Sequence, residues 1–219
     1  MRKLIFYTIV MIAFSACSFK TPENEWKIKS VNAFDSYTQN FLKSNDTLAK
    51  NDLKRAIKHA KSSANLDTLG GIYLSECALN ISVGIDDNCS KFTHIQDLIY
   101  NKNYNSYKDF ILGDFEKKQI ASLPKNYQEF AKDLIENNYE KANQDVQNIK
   151  KIKSKLIAAS ILNENIDKKT INNVIKNASY FGYKKAIIYW LSKLKEYEVN
   201  DLRKKQITKQ LLILQSNEY

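Results

Sequence analysis

The groups in this sequence with the most chemical reach are three thiols, Cys17, Cys77 and Cys89. Bridged, Cys77 and Cys89 would close a loop of about 13 residues and add roughly 3 kcal/mol to stability. The alternative is that Cys77, on an apolar helix face, is a small buried side chain and nothing more. Two thiols and two distant histidines lack the ligand spacing of a metal site. His59 stands beside Lys58 and Lys61 and reads as solvated, while His94, between Phe92 and Ile95, reads as partly buried. No nucleophile–base arrangement surrounds either ring. Gly70-Gly71 follows no strand pattern and lacks the Lys-Ser/Thr of a phosphate loop. Asp86-Asp87 lacks the spacing and distal Glu of a calcium loop and reads as a solvated turn. Asp133 and Glu136 read as an ordinary exposed helix face. The expectation is therefore a protein that is not an enzyme, with no cofactor and no metal.

Aromatic side chains offer a different chemistry, that of binding. Tyr180, Phe181, Tyr183, Tyr189 and Trp190 crowd one expected helical hairpin. Most belong to a core, but a stack of helices presents a concave face where some of them can grip a partner. Lys150, Lys151, Lys153 and Lys155 flank an apolar stripe of Ile149, Ile152, Leu156 and Ala159 and read as a solvated helix face.

The elements that must hold these groups are helices. Five glycines and two prolines in 219 residues leave little for tight hairpins. Apolar spacing predicts helices over 25–43, then to about Ser63, from an Asp67 cap to about Val83, and over 88–100 starting with Cys89. A loop is expected over Asn101–Asn105, followed by short helices around 107–111 and 114–122 and one from Tyr127 to Ile135 past Pro124. A single helix then carries Ala142 through Ala159, and others span 168–180, 184–198 and the stretch from Asn200 onward. The fold class is all-α, either antiparallel hairpins stacked as a short α-solenoid or an irregular helical bundle.

The N-terminal stretch reads as a secretory signal, with Met1-Arg2-Lys3 as the cationic start and an apolar run from Leu4 to Phe14. That run is too short to span a bilayer, which takes about 20 residues. Phe14-Ser15-Ala16-Cys17 resembles the lipobox of bacterial lipoproteins, with Phe14 where the family usually has Leu. The resemblance implies cleavage before Cys17 and a diacylglycerol on its sulfur. Ser18 in place of Asp points to the outer membrane, on its periplasmic face. The organisation expected is a signal peptide over 1–16, a tether over 17–24 and one helical domain over 25–219. Export also favours the Cys77–Cys89 bridge, because that compartment is oxidising.

Net charge is +10, yet only Arg2, Arg55 and Arg203 among 34 basic residues are arginine. Arginine is the usual reader of bases and phosphates, so nucleic acid is not the expected partner. Three helix starts share a pattern: Leu53 to Ala56, Tyr139 to Ala142 and Tyr183 to Ala186. Each places a small residue where two helices of a hairpin cross. The pattern resembles the turn of tetratricopeptide-type repeats, which implies a scaffold for protein binding. The functional expectation is a lipid-anchored envelope protein that binds another envelope protein as a non-catalytic assembly scaffold. The alternatives are a peptidoglycan- or lipopolysaccharide-associated enzyme or accessory factor, and a pilotin-like carrier.

Overall fold

Ten helices of two turns or more, with one short turn of helix among them, account for most of residues 24–216, the part that the computed structural model describes. The chain is all-α, and no strand occurs among the described residues. In order the helices are α1 (Glu25–Leu42), α2 (Asp46–Ala60), α3 (Asp67–Ser82), α4 (Ser90–Thr93), α5 (Asn103–Leu112), α6 (Lys125–Ile135), α7 (Tyr139–Asn148), α8 (Ile152–Leu162), α9 (Lys168–Tyr180), α10 (Lys184–Tyr197) and α11 (Asp201–Gln215). Short 3-10 turns fill Gln96–Leu98, Lys117–Ser122 and Asn163–Asn165. The signal, Cys17 and most of the tether lie outside the described residues.

The helices form a bundle around α3, which touches α1, α2, α4, α5 and α8. Its apolar residues point in several directions, and Leu69, Ile72, Leu74, Cys77 and Leu79 are all buried. A helix apolar on more than one side needs neighbours on more than one side. Helical hairpins complete the bundle: α1 with α2 packs on α3, while α6 with α7, and α9 of the α9–α10 hairpin, pack on α8. Caps set several of the starts. The side chains of Asn138, Asp167 and Asn200 accept from the backbone N–H three residues on, at Lys141, Thr170 and Arg203. Left-handed Gly182 ends α9 at φ 65 and lets Tyr183 turn straight into α10.

Several expected boundaries are corrected. Asp67 is the first residue of α3 and does not cap it; its carboxylate instead accepts from the backbone N–H groups of Tyr100 and Asn101, at 2.8 and 3.1 Å. The helix expected over 88–100 is broken into α4 and a 3-10 turn. The loop expected over Asn101–Asn105 instead contains the start of α5, with the Asn101 side chain accepting from the N–H of Asn103. The stretch 114–122 is an extended entry to a 3-10 turn. The long helix from Ala142 to Ala159 is two helices, because Ile149 and Lys151 take extended ψ angles of 118 and 114. Leu53–Ala56 lies inside α2 and opens no helix, whereas Tyr139–Ala142 and Tyr183–Ala186 do open α7 and α10. Ala56, Ala142 and Ala186 are all fully buried.

Candidate functional site

A cleft of about 780 Å³ opens between α1, α3, α5, α8 and the chain leading into α6. That is within the range of ligand-sized sites. Its aromatic wall comes from Phe34 on α1, Tyr104 and Tyr107 on α5, and Tyr127 on α6. Behind that wall Phe110 anchors the cluster, 5.0 Å from the Tyr127 ring and 6.1 Å from that of Tyr107. Polar groups share the lining, among them Asn103, Asn126, Gln128, Ser75 and Ser154. Lys153 Nζ lies 3.1 Å from Asp35 Oδ1, so a charge pair in the lining links α8 to α1.

The sequence builds this cleft with one small residue. A Cβ at Gly71 would stand 2.9 Å from the Tyr104 hydroxyl, so glycine there lets the phenol lie across α3. The phenols are neutral hydrogen-bonding groups. Burial raises Tyr107 well above the ordinary phenol range, and the neighbouring Tyr127 phenol adds to it. Tyr127 is also raised by burial, while hydrogen bonding with Ser154, Tyr107 and Asn126 pulls it partly back. Burial and then the Asp67 charge raise Tyr104. Rings flanked by amides and hydroxyls suit binding, because they provide apolar area together with fixed donors and acceptors.

The thiols expected to pair do so. Cys77 on α3 and Cys89, just before α4, form a disulfide with their Cα atoms 5.3 Å apart. Both are almost fully buried. Asp87 braces the crossing, its carboxylate accepting from the N–H of Cys89 and from the Asn80 amide, each at 2.8 Å. Cys77, Asp87 and Cys89 converge as three ligand-type side chains, but both sulfurs are used in the bridge. A smaller cavity of about 330 Å³ beside the bridge holds Glu76, with Lys91 Nζ 2.5 Å from its Oε1. Asp86 is exposed in the turn, as expected, whereas Asp87 is half-buried and not simply solvated.

Comparison with known proteins gives no family: no family model, no curated protein and no solved structure matches this chain.

The five aromatic residues singled out on the α9–α10 hairpin separate. Tyr180 is 86 % exposed and Phe181 44 %, with rings edge to face at 5.1 Å. Tyr183 and Trp190 are buried in the core and offer nothing to a partner, and Tyr189 is half-buried over Gly84. His94 is exposed and not partly buried, with Nδ1 2.7 Å from the Ser90 carbonyl. His59 is half-buried on α2. The lysine run is not uniformly solvated. Lys155 is 3 % exposed, and its ammonium donates to the Gln147 carbonyl at 2.9 Å and to Asn173 Oδ1 at 2.6 Å, joining α8 to α7 and α9. Burial lowers its pKa.

Sequence reading missed the cleft altogether. Its walls come from five separated stretches between Phe34 and Ile157, and no local pattern joins them. The one usable signal was the recurrence of Tyr104, Tyr107 and Phe110 at helical spacing across the supposed loop.

Proposed function

We propose that this chain is a lipid-anchored envelope protein whose helical body binds a segment of another envelope protein, acting as a scaffold without chemistry of its own. The observation that carries the binding half is the tyrosine-walled cleft. Phe34, Tyr104, Tyr107 and Tyr127 provide apolar anchorage, while Asn103, Asn126 and Gln128 provide donors and acceptors for a partner's backbone. The anchoring half rests on the residues from Arg2 to Cys17, and a disulfide inside the body is what an oxidising compartment permits. Unlike a flexible loop, the cleft is framed by five helices, so little ordering is required on binding.

In-cell photocrosslinking tests this. A photoreactive residue at Asn103 or Gln128, both on the cleft, is expected to capture one discrete envelope protein. The same probe at Lys176 on α9 is expected to capture none. Equal capture from both places, or none from the cleft, would contradict the reading. Amides and hydroxyls beside ring faces also suit a glycan, which favours a second reading as a peptidoglycan- or lipopolysaccharide-associated factor. Co-sedimentation with isolated sacculi that is lost in Tyr104→Ala would support that reading over the first.

A further inference from the structure

The last helix carries a surface that neither the cleft nor the acyl anchor explains. α11 buries Ile207 and Leu211 against the body, chiefly on α10. Its other side is not polar: Leu202, Leu212 and Ile213 are 68, 65 and 61 % exposed, and Val199 just before the helix is 84 % exposed. With about 3.6 residues per turn, Leu202, Lys209 and Ile213 fall near one line and Lys205 and Leu212 beside it. The helix holds Arg203, Lys204, Lys205 and Lys209 against a single acid, Asp201. None of the ion pairs among the described residues uses any of these four cations.

Charge and area together select the occupant. A stable protein interface takes about 800 Å² from each side, with a core depleted in lysine. Three aliphatic side chains interleaved with lysines make no such core. A bilayer surface asks for what is present, namely leucines that reach the acyl boundary and lysine stems that lie on apolar surface with their ammonium groups at phosphate level. Anionic headgroups supply the counter-charge that no ion pair among the described residues supplies here. The geometry points to α11 as a peripheral lipid-contact helix that lies on an anionic leaflet through Leu202, Lys205, Lys209, Leu212 and Ile213. This holds whether or not Cys17 is acylated. It adds to anchoring an orientation, with α11 against the membrane and the rest of the bundle above it.

The test uses the full chain as isolated, with Gln206→Cys labelled by an environment-sensitive fluorophore and the parent chain as the blank. A label at Lys54→Cys on α2 is the control. Vesicles of phosphatidylcholine with phosphatidylglycerol are expected to blue-shift the Gln206 label and leave the Lys54 label unchanged. Pure phosphatidylcholine is expected to give no shift even where the acyl anchor attaches the protein. Each lysine is worth about fivefold in the docking equilibrium, so Lys205→Gln with Lys209→Gln lowers it about 25-fold. Identical spectra in both vesicle types overturn the proposal. So does a concentration-dependent shift without vesicles, which assigns the face to a second copy. Flotation on neutral vesicles reports the acyl anchor separately, so failure of one reading is not mistaken for failure of the other.

Discussion

Replacing both half-cystines with alanine measures how much the α3–α4 crossing relies on its covalent link. Alanine is the better choice than serine, because Cys77 and Cys89 are 1 and 2 % exposed and serine would bury two hydroxyls. Closing a loop of about 13 residues restrains the unfolded chain by roughly 3 kcal/mol. An opposing contribution comes from Cys89, whose φ of 56 is left-handed. That conformation disfavours a side chain by about 1–2 kcal/mol, released only if the turn relaxes. The bonds from Cys89 and Asn80 to the Asp87 carboxylate hold the turn in place and resist that relaxation. The net expectation is a loss of about 1–3 kcal/mol, or roughly 2–12 °C in Tm at about 2–4 °C per kcal/mol for a chain of this size. Thermal unfolding followed by circular dichroism reads it, and reductant should lower the wild-type Tm by the same amount while leaving the double variant unmoved. A variant within 1 °C of wild type, or free thiols titrating at Cys77 and Cys89 in protein taken from the envelope, would refute the reasoning.

Gly84→Ala should be among the most damaging single-methyl changes. A Cβ there would stand 2.2 Å from the Tyr189 ring, on a backbone at φ 75. We expect a loss of at least about 2 kcal/mol in urea titration, with part of it regained in combination with Tyr189→Ala; a loss below about 0.5 kcal/mol would mean that the ring does not pack there. Asp145 is lifted to about 6, first by burial, then by the hydrogen bond and charge of Asp133 and the charge of Glu129, against Lys141. The folded state then holds a proton that the unfolded state releases, so this contribution is full below 3.8 and lost as pH rises through about 6. Asp145→Asn should raise the urea midpoint at pH 7 and flatten its fall from pH 4, and an unchanged slope would contradict the assignment. Tyr183→Ala should cost about 3–5 kcal/mol, because the ring is buried and its hydroxyl meets Gln39. Tyr180→Ala should stay within about 0.5 kcal/mol, and comparable losses for the two would refute the burial contrast.

The helices written in strong apolar periodicity were legible in the sequence. α1, α3, α6, α9 and α10 begin and end close to where their apolar spacing, the Asp167 cap and Gly182 place them. What misled was degeneracy. Ile149, Ile152 and Leu156 keep the same spacing across a continuous helix as across two helices joined by three non-helical residues, and no proline or glycine marks the break. The polar run at Asn101–Asn105 looked like a loop because asparagine favours turns, yet here Asn101 hydrogen-bonds the first N–H of a helix. Lys155 looked solvated because the carbonyl of Gln147 and the amide of Asn173, which receive it, come from other helices. Of the candidate site, the Cys77–Cys89 pairing was expected from the thiol count and from the oxidising compartment that the signal-like N-terminus implies. The cleft is a property of how α1, α3, α5, α6 and α8 meet, and local periodicity does not encode it.

The claim on which the functional reading leans is that the chain is exported and held by a fatty-acylated sulfur. Mass spectrometry of the N-terminal peptide from protein extracted from its own membranes tests it most directly. The account predicts a first residue of Cys17 carrying a thioether-linked diacylglycerol. A chain that begins at Met1, or at Cys17 with no acyl group, would contradict it.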